Sequence, residues 1–238
     1  MSAHDTRQTI LDAAETLFAE HGYAATSMRQ LTAAAGVNLA AVSYHFGGKE
    51  ELTKAVLARR IEPINAARLQ RLAALPSDRA TVREILRAFV EPPLRAVGQR
   101  DANGAGDAQA ACRMWGRISM EQPPFLRDFL QAQFGNVAGR FLAALKTASP
   151  DLDVATVTWR LHFAVGAMAH AVQNAPTISH MTHGLCDPQD TDVLVEQLVS
   201  FLAAGFAAPA RPMAKKSAGA PRSKARGTGR TARSRSRS

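Results

Sequence analysis

The feature that most constrains this chain is the stretch TSMRQLTAAAGVNLAAVSYHFGGKEEL at residues 26–52. Ser27 and Gln30 have the spacing of a capping box, in which each side chain pairs with the other residue's backbone N–H at the start of a helix. Gly36 supplies the left-handed conformation that ends a helix abruptly, and Asn38 is a good cap for a short second helix. A helix this short needs neighbours to be stable. The stretch therefore predicts a helix-turn-helix, whose second helix enters the major groove of DNA.

The rest of the chain predicts further helices and no sheet. An apolar stripe that includes Ile10, Leu17 and Phe18 favours a first helix over residues 5–21, which Gly22 ends. The other helices are predicted at 39–46, 49–75, 79–98 with an interruption at Pro92-Pro93, 107–121, 123–148, 152–174 and 188–207, the last capped by Asp187. Loops are predicted at 100–108 and 174–189. No segment shows sustained period-2 alternation, so the predicted fold class is all-α.

The net charge does not identify the function. The chain has a formal charge of +9, but residues 211–238 hold ten Lys or Arg and no acidic residue, which leaves 19 basic against 20 acidic side chains elsewhere. Residues 1–60 are balanced, with six of each sign. The basic residues 209–238 lack the apolar residues for a core and are predicted to be disordered. They act either as a solubilising tail or as an arm that raises non-specific DNA affinity.

Three motifs near the N-terminus resemble one family. ILDAAETLFAEHGY (10–23), TSMRQLTAAAGV (26–37) and YHFGGKEEL (44–52) make residues 6–60 similar to the DNA-binding head of the TetR family of bacterial transcriptional regulators. Residues 38–52, together with WRLHFAVGA (159–167), look most like the fatty-acid-sensing PsrA-type regulators. The resemblance, which extends to about residue 207, implies a DNA-binding head at 1–50, an effector-binding and dimerisation domain at 51–208, and a basic tail at 209–238.

The resemblance also implies roles for individual residues. The predicted DNA contacts are Thr26, Ser27, Arg29, Asn38, Leu39, Ala40, Ala41, Ser43, Tyr44, His45 and Lys49. Most candidates on the short helix are small or apolar, so we expect contacts with thymine methyl groups and shape readout more than hydrogen-bond readout. Three alternatives stay open: Asn38 serves only as a cap, Ala40 is present for helix propensity alone, or Tyr44 belongs to the core.

The C-terminal half is expected to bind an effector and a second copy of the chain. The predicted effector contacts are Arg113, Met114, Trp115, Ile118, Phe125, Phe129 and His162. They suit a small apolar ligand such as a long-chain fatty acid or acyl-CoA, although such a stripe of Met and aromatic residues also forms ordinary core. The predicted dimer contacts are Phe163, Gly166, His170, Leu194, Leu198, Phe201 and Leu202. The expected function is a homodimeric repressor that the effector releases from a pseudo-palindromic operator.

Other classes of function receive less support. The chain has no Gly-rich phosphate loop and no nucleophile motif, so we expect no enzymatic activity and no cofactor. His180 and His183 form an H-x-x-H pair without a cysteine at ligand spacing, so a metal-responsive sensor is a weaker alternative. A non-specific DNA-coating protein driven by the basic tail is another. The two cysteines and the absence of a signal-like N-terminus favour a cytoplasmic protein with reduced thiols.

Overall fold

The computed structural model describes residues 3–98 and 108–210. All but the last residue of the predicted loop at 100–108, and all but the first two residues of the predicted tail, lie outside these ranges. The described residues form helices and no strands, which confirms the all-α prediction. The helices are α1 Ala3–Ala25, α2 Met28–Ala35, α3 Leu39–Phe46, α4 Lys49–Ala73, α5 Val82–Gly98, α6 Ala108–Glu121, α7 Leu126–Ala148, α8 Val154–Gln173, α9 Ala175–Met181 and α10 Thr191–Ala207.

The head is built from α1, α2, α3 and the first half of α4. Ile10, Leu31 and Val42 of the first three helices are almost completely buried in one cluster. Leu52 and Val56 of α4 complete this core, as their spacing of four residues predicts. The same cluster continues into α6 and α7, so the core of the head is shared with the following helices. The predicted division at residue 50 remains a prediction.

Gly22 ends the regular part of α1, as predicted. Its backbone angles, φ 83° and ψ 177°, are not helical, and the residue lies in a region that only glycine adopts readily. The carboxylate of Glu121, at the end of α6, lies beside it and accepts a hydrogen bond from the N–H of Ala24 over 2.8 Å. The kink in α1 is therefore held directly by α6.

The predicted interruption at Pro92-Pro93 is wrong, because α5 runs through both residues. A proline has no N–H, so Pro93 leaves the carbonyl of Phe89, four residues earlier, without its helical donor. The side chain of Arg68 on α4 supplies one, with its Nε 2.9 Å from that carbonyl oxygen. A tertiary hydrogen bond therefore replaces the missing helical one.

The segment 174–189 was predicted to be a loop, but it contains α9. Pro176 lies in the first turn of α9, where a proline is tolerated because its missing N–H would have no helical partner. The helix α10 also begins later than predicted. Its cap is Asp190, whose Oδ1 accepts from the N–H of Val193 over 3.0 Å. Asp187, the predicted cap, accepts instead from the N–H of Gln189 in a local turn.

Candidate DNA interface and effector cavity

The turn between α2 and α3 has the geometry that the sequence predicts. The N–H of Gln30 donates to Ser27 Oγ over 3.2 Å, and the N–H of Ser27 donates to Gln30 Oε1 over 2.8 Å, which completes the capping box. Gly36 adopts the left-handed conformation at φ 63°. Asn38 Oδ1 accepts from the N–H of Ala41 over 2.8 Å. These contacts fix the start of α3 and its angle to α2.

One side of α3 is buried and the other faces solvent. Val42 and Phe46 are buried, which fixes the helix against the head. Tyr44 is 83 % exposed and Leu39 is 56 % exposed, so Tyr44 is not part of the core. Ser43, which is polar, and Ala40, which is apolar, are also exposed on α3. The exposed side of α3 is thus short and mostly uncharged.

The other predicted DNA contacts are divided between the surface and the interior. Ser27, Arg29 and Asn38 are exposed, while Ala41, His45 and Lys49 are half-buried. Thr26 is buried, and its hydroxyl donates to the carbonyl of Gly22 over 2.7 Å. Its side chain therefore joins α1 to α2 and does not lie on the surface with the others.

The half-buried Lys49 begins α4 and packs on α1. Its Nζ lies 4.4 Å from the ring centroid of Tyr23, a cation–π distance. Burial lowers the pKa of Lys49, which the nearby Glu121 partly offsets. Arg7, which the sequence did not single out, has its guanidinium 5.3 Å from the ring centroid of Phe46 at the end of α3. It adds a cation beside the recognition helix, and its spacing on α1 gave no sign of this.

A cavity of about 1190 Å³ lies among the helices that follow the head. Its wall is mostly apolar and comes from α4, α5, α6, α7 and α8. The apolar lining residues include Ile61 and Ile64 of α4, Phe134 and Val137 of α7, and Leu161 of α8. The volume is slightly above the usual range for small-molecule sites, about 300–1,000 Å³. An apolar body with a single polar group fits such a space.

Only two of the seven predicted effector contacts line this cavity, Met114 and Trp115. Ile118, Phe125 and Phe129 belong to the core that joins α6 and α7 to the head, so their apolar spacing reflects packing. Arg113 and His162 are exposed and do not line the cavity. The sequence also missed the contribution of α4, because its apolar residues there alternate with arginines and look like a solvated helix.

The predicted dimer contacts lie on α8 and α10, which pack on each other. Leu198 and Leu202 are buried inside the chain, so these two do not reach an outer surface. Leu194 is half-buried, and Gly166 and His170 are exposed. Phe163 and Phe201 are 61 % and 70 % exposed. We call the exposed apolar side chains Trp159, Phe163, Val193 and Phe201 the outer face.

Neither a cluster of metal ligands nor a membrane-spanning helix is present in the described part of the chain. Among residues 3–98 and 108–210, no three His, Cys, Asp or Glu side chains lie close enough together to hold a metal ion. The exposed thiol of Cys186 is not in a disulfide. Within the same ranges, no helix combines the length and the apolar character that a membrane span requires.

The chain matches two family models that together include the head and most of the following helices. Residues 10–56 match the model described as bacterial regulatory proteins of the tetR family. Residues 87–205 match the tetracyclin repressor-like C-terminal domain. The second match alone covers half of the chain.

Curated relatives are similar over the N-terminal part. The HTH-type transcriptional repressor AcnR of Corynebacterium glutamicum is 41 % identical over 91 residues, which are 38 % of this chain and 44 % of AcnR. The chain thus matches less than half the length of this relative.

Solved structures share the fold over most of the chain. The fatty acid degradation regulator FadR of Bacillus halodurans superposes with a TM-score of 0.58 at 16 % identity, over 84 % of this chain and 95 % of FadR. A TetR-like regulator from Rhodococcus sp. RHA1 gives 0.60 at 21 % identity, over 86 % and 99 %. With the helix-turn-helix, the helical body and both family models in agreement, the chain belongs to the TetR family of bacterial transcriptional regulators.

Proposed function

We propose that this TetR-family regulator is a cytoplasmic homodimeric repressor that binds a pseudo-palindromic operator and that a small apolar effector releases. The effector class is a long-chain fatty acid or its acyl-CoA. The observation that carries the proposal is the apolar cavity of about 1190 Å³, part of whose wall is formed by α4, the helix that continues directly from the recognition unit.

The proposed DNA contacts are the exposed residues at the start of α2 and on α3, together with the half-buried Lys49 at the start of α4. Leu39, Ala40 and Ser43 face the bases, where apolar contacts with thymine methyl groups contribute to readout. Arg29, Tyr44 and Lys49 contact phosphates and fix the position of the head on the duplex. Arg7 adds a cation near the end of α3.

The proposed dimer interface is the outer face. Four large apolar side chains on two adjacent helices remain more than half exposed in the single chain. A second copy that packs against this face buries them and places two recognition helices on one duplex. The buried Leu198 and Leu202 support α10 from inside.

The proposed effector class has two sources of support. The cavity wall is mostly apolar, which suits an acyl chain. The sequence also resembles the PsrA-type regulators, and the fatty acid degradation regulator FadR shares the fold. Met114 and Trp115 are the proposed contacts on α6.

The experiment is a DNA-binding titration with a variant chain that ends at Ala208, so that the basic tail does not contribute. Its own upstream DNA is the probe, with excess random DNA as competitor, in the presence and absence of palmitate or palmitoyl-CoA. Specific binding that either ligand reverses is the expected result. Binding that disappears with the tail would instead favour non-specific coating of DNA, and specific binding that neither ligand reverses would refute the effector class alone.

A further inference from the structure

Among the described residues, all the ionisable side chains on the cavity wall are arginines. They are Arg59, Arg60, Arg68 and Arg127, and no acidic residue of the described ranges lines the cavity. Three of the four have carboxylates nearby. Arg59 and Arg60 both pair with the buried Glu15 of α1. Arg127 is 94 % exposed and lies 3.8 Å from Asp128.

Arg68 is different, because it is 3 % exposed and its partners are all uncharged. Its Nε donates to the carbonyl of Phe89 over 2.9 Å, and its Nη1 donates to Asn65 Oδ1 over 3.2 Å. Its Nη2 lies 3.3 Å from the thioether sulfur of Met168, which is a weak acceptor. In the described part of the chain, no carboxylate balances this guanidinium.

The surroundings of Arg68 also hold it in a fixed orientation. Asn65 Nδ2 donates to the carbonyl of Gln133 over 2.8 Å, which turns the amide oxygen of Asn65 towards Arg68. The guanidinium lies 4.4 Å from the ring centroid of Phe89. A preorganised donor loses little entropy when it binds an anion.

A buried charge without an opposite charge is unfavourable. Burial lowers the pKa of Arg68 to about 10, so the side chain remains protonated near neutral pH. Satisfying the carbonyl of Phe89 requires one N–H donor and no charge. The hydrogen bonds within the chain therefore do not explain why a cation occupies this position on an apolar wall.

We propose that Arg68 is the counterion of a carboxylate on the effector, so that the ligand is a free long-chain carboxylic acid that binds with its head group inside the cavity. This inference rests on the proposed function, in which the cavity is the effector site. The carboxylate takes the Nη2 donor that now has only the sulfur of Met168 as acceptor. Arg–carboxylate pairs form charge-assisted hydrogen bonds, which are stronger than those to neutral groups.

The same observations disfavour an acyl-CoA. Its thioester carries no charge for Arg68 to balance, and its phosphates require several cations. Arg59 and Arg60, the other largely buried cations of the wall, are already paired with Asp12 and Glu15 of the head. A neutral alcohol of the same chain length fills the apolar volume but leaves Arg68 without a counterion.

The test compares three ligands, palmitate, hexadecanol and palmitoyl-CoA, on the full chain. Trp115 lines the cavity, whereas Trp159, the other tryptophan, does not, so a change in tryptophan fluorescence when ligand is added reports on the cavity. We expect palmitate to bind about tenfold or more tightly than hexadecanol, which is the usual gain from a hydrogen bond to a charged group. Arg68→Gln keeps an N–H donor but removes the charge, and it should abolish this preference while hexadecanol affinity stays unchanged.

Arg127→Gln is the matched control, because it removes an exposed arginine of the same wall and should leave the preference intact. Hexadecanol binding shows that each variant is folded, so the ratio of the two affinities is the readout. Equal affinity of the natural chain for palmitate and hexadecanol, or a preference that survives Arg68→Gln, overturns the inference and leaves the effector cavity in place. Tighter binding of palmitoyl-CoA than of palmitate also overturns the inference alone. If none of the three ligands binds, the proposed effector class fails as well.

Discussion

Among single residues, the buried carboxylate of Glu15 joins α1 to α4. It is 2 % exposed and accepts hydrogen bonds from both Arg59 and Arg60, while Asp12 pairs with Arg59 over 2.6 Å. Glu15→Gln removes the negative charge that pairs with both arginines. Because both retain some contact with solvent, we expect a loss of about 2 kcal/mol in unfolding free energy, less than for a fully buried pair. Urea unfolding measures this loss.

Glu20→Gln is the control for this prediction. Glu20 is on the same helix, but its side chain is 59 % exposed and lies 3.7 Å from His21, which is also largely exposed. Exposed pairs contribute little to stability. Similar losses from both variants would contradict the view that the cluster around Glu15 holds the head on α4.

Tyr44 has the most exposed aromatic ring in the proposed DNA interface. If its hydroxyl contacts a phosphate, Tyr44→Phe weakens binding to operator and to random DNA by a similar factor, about three- to tenfold. The melting temperature should not change, since the side chain is outside the core. Fluorescence anisotropy with both DNAs gives the two affinities.

Tyr23 provides the matched control, since it is half-buried between Phe18 and Phe125, and Tyr23→Phe keeps the ring on which Lys49 packs. Tyr23→Phe should leave both DNA affinities unchanged. A loss confined to the operator in Tyr44→Phe would show instead that the hydroxyl reads a base.

At the scale of the helices, the contact between α1 and α6 depends on Gly22. A Cβ at this position would lie 1.9 Å from Glu121 Oε1, and the backbone angles are themselves unfavourable for any other residue. We expect Gly22→Ala to lower the unfolding free energy by about 2 kcal/mol or more. Adding Glu121→Ala should recover only part of this, because it removes the collision and leaves the backbone strain. Full recovery in urea unfolding would assign the whole loss to the collision.

Local signals in the sequence were sufficient for the recognition unit. The caps at Ser27 and Asn38 and the stop at Gly36 depend on neighbouring residues only, and all three are present in the structure. The prediction of an interruption at Pro92-Pro93 is wrong because the deciding contact is not local. The donor that replaces the missing N–H comes from Arg68, on another helix, and no local pattern contains that contact.

The cavity was predicted less well than the recognition unit. The apolar spacing of Ile118, Phe125 and Phe129 is the same for a core as for a ligand site, and the structure assigns them to the core. Arg68 looks like a solvated residue on α4 in the sequence, yet it is buried. Which face of a helix lines a space depends on how five helices pack together, and this is a property of the tertiary structure.

At the scale of the whole molecule, we predict that the outer face is the surface through which two copies of the chain form a dimer. Phe201 is 70 % exposed on α10, which packs on α8, where Trp159 and Phe163 are also exposed. Phe201→Glu places a charge in the proposed interface, so the chain should become monomeric and lose most of its operator affinity. Analytical ultracentrifugation measures the assembly. Leu185→Glu, at an apolar residue that is 87 % exposed in the loop before α10, should remain dimeric. A monomer in both variants, or in neither, would count against this interface.

In the proposed function, α4 is the element that couples the cavity to DNA binding. The first half of α4 holds the head through Leu52 and Val56, and its second half lines the cavity with Ile64 and Arg68. Pro63 lies between these halves and leaves the carbonyl of Arg59 without its helical donor. We expect the missing hydrogen bond to let the two halves change angle, so that a ligand which prefers one angle would change the separation of the recognition helices in the proposed dimer.

Pro63→Ala restores that donor and stiffens α4. We therefore expect operator affinity within about threefold of the natural chain, but a weaker response to ligand, with about tenfold more palmitate required for release. Anisotropy titrations of operator at several palmitate concentrations measure both quantities, with Pro150→Ala, in the exposed turn before α8, as control. The fluorescence of Trp115 gives the ligand affinity independently. A weak release response at unchanged ligand affinity therefore identifies a loss of coupling between the cavity and DNA binding. If Pro63→Ala abolishes operator binding and release together, the proline acts through folding and the two halves of α4 move as one rigid element.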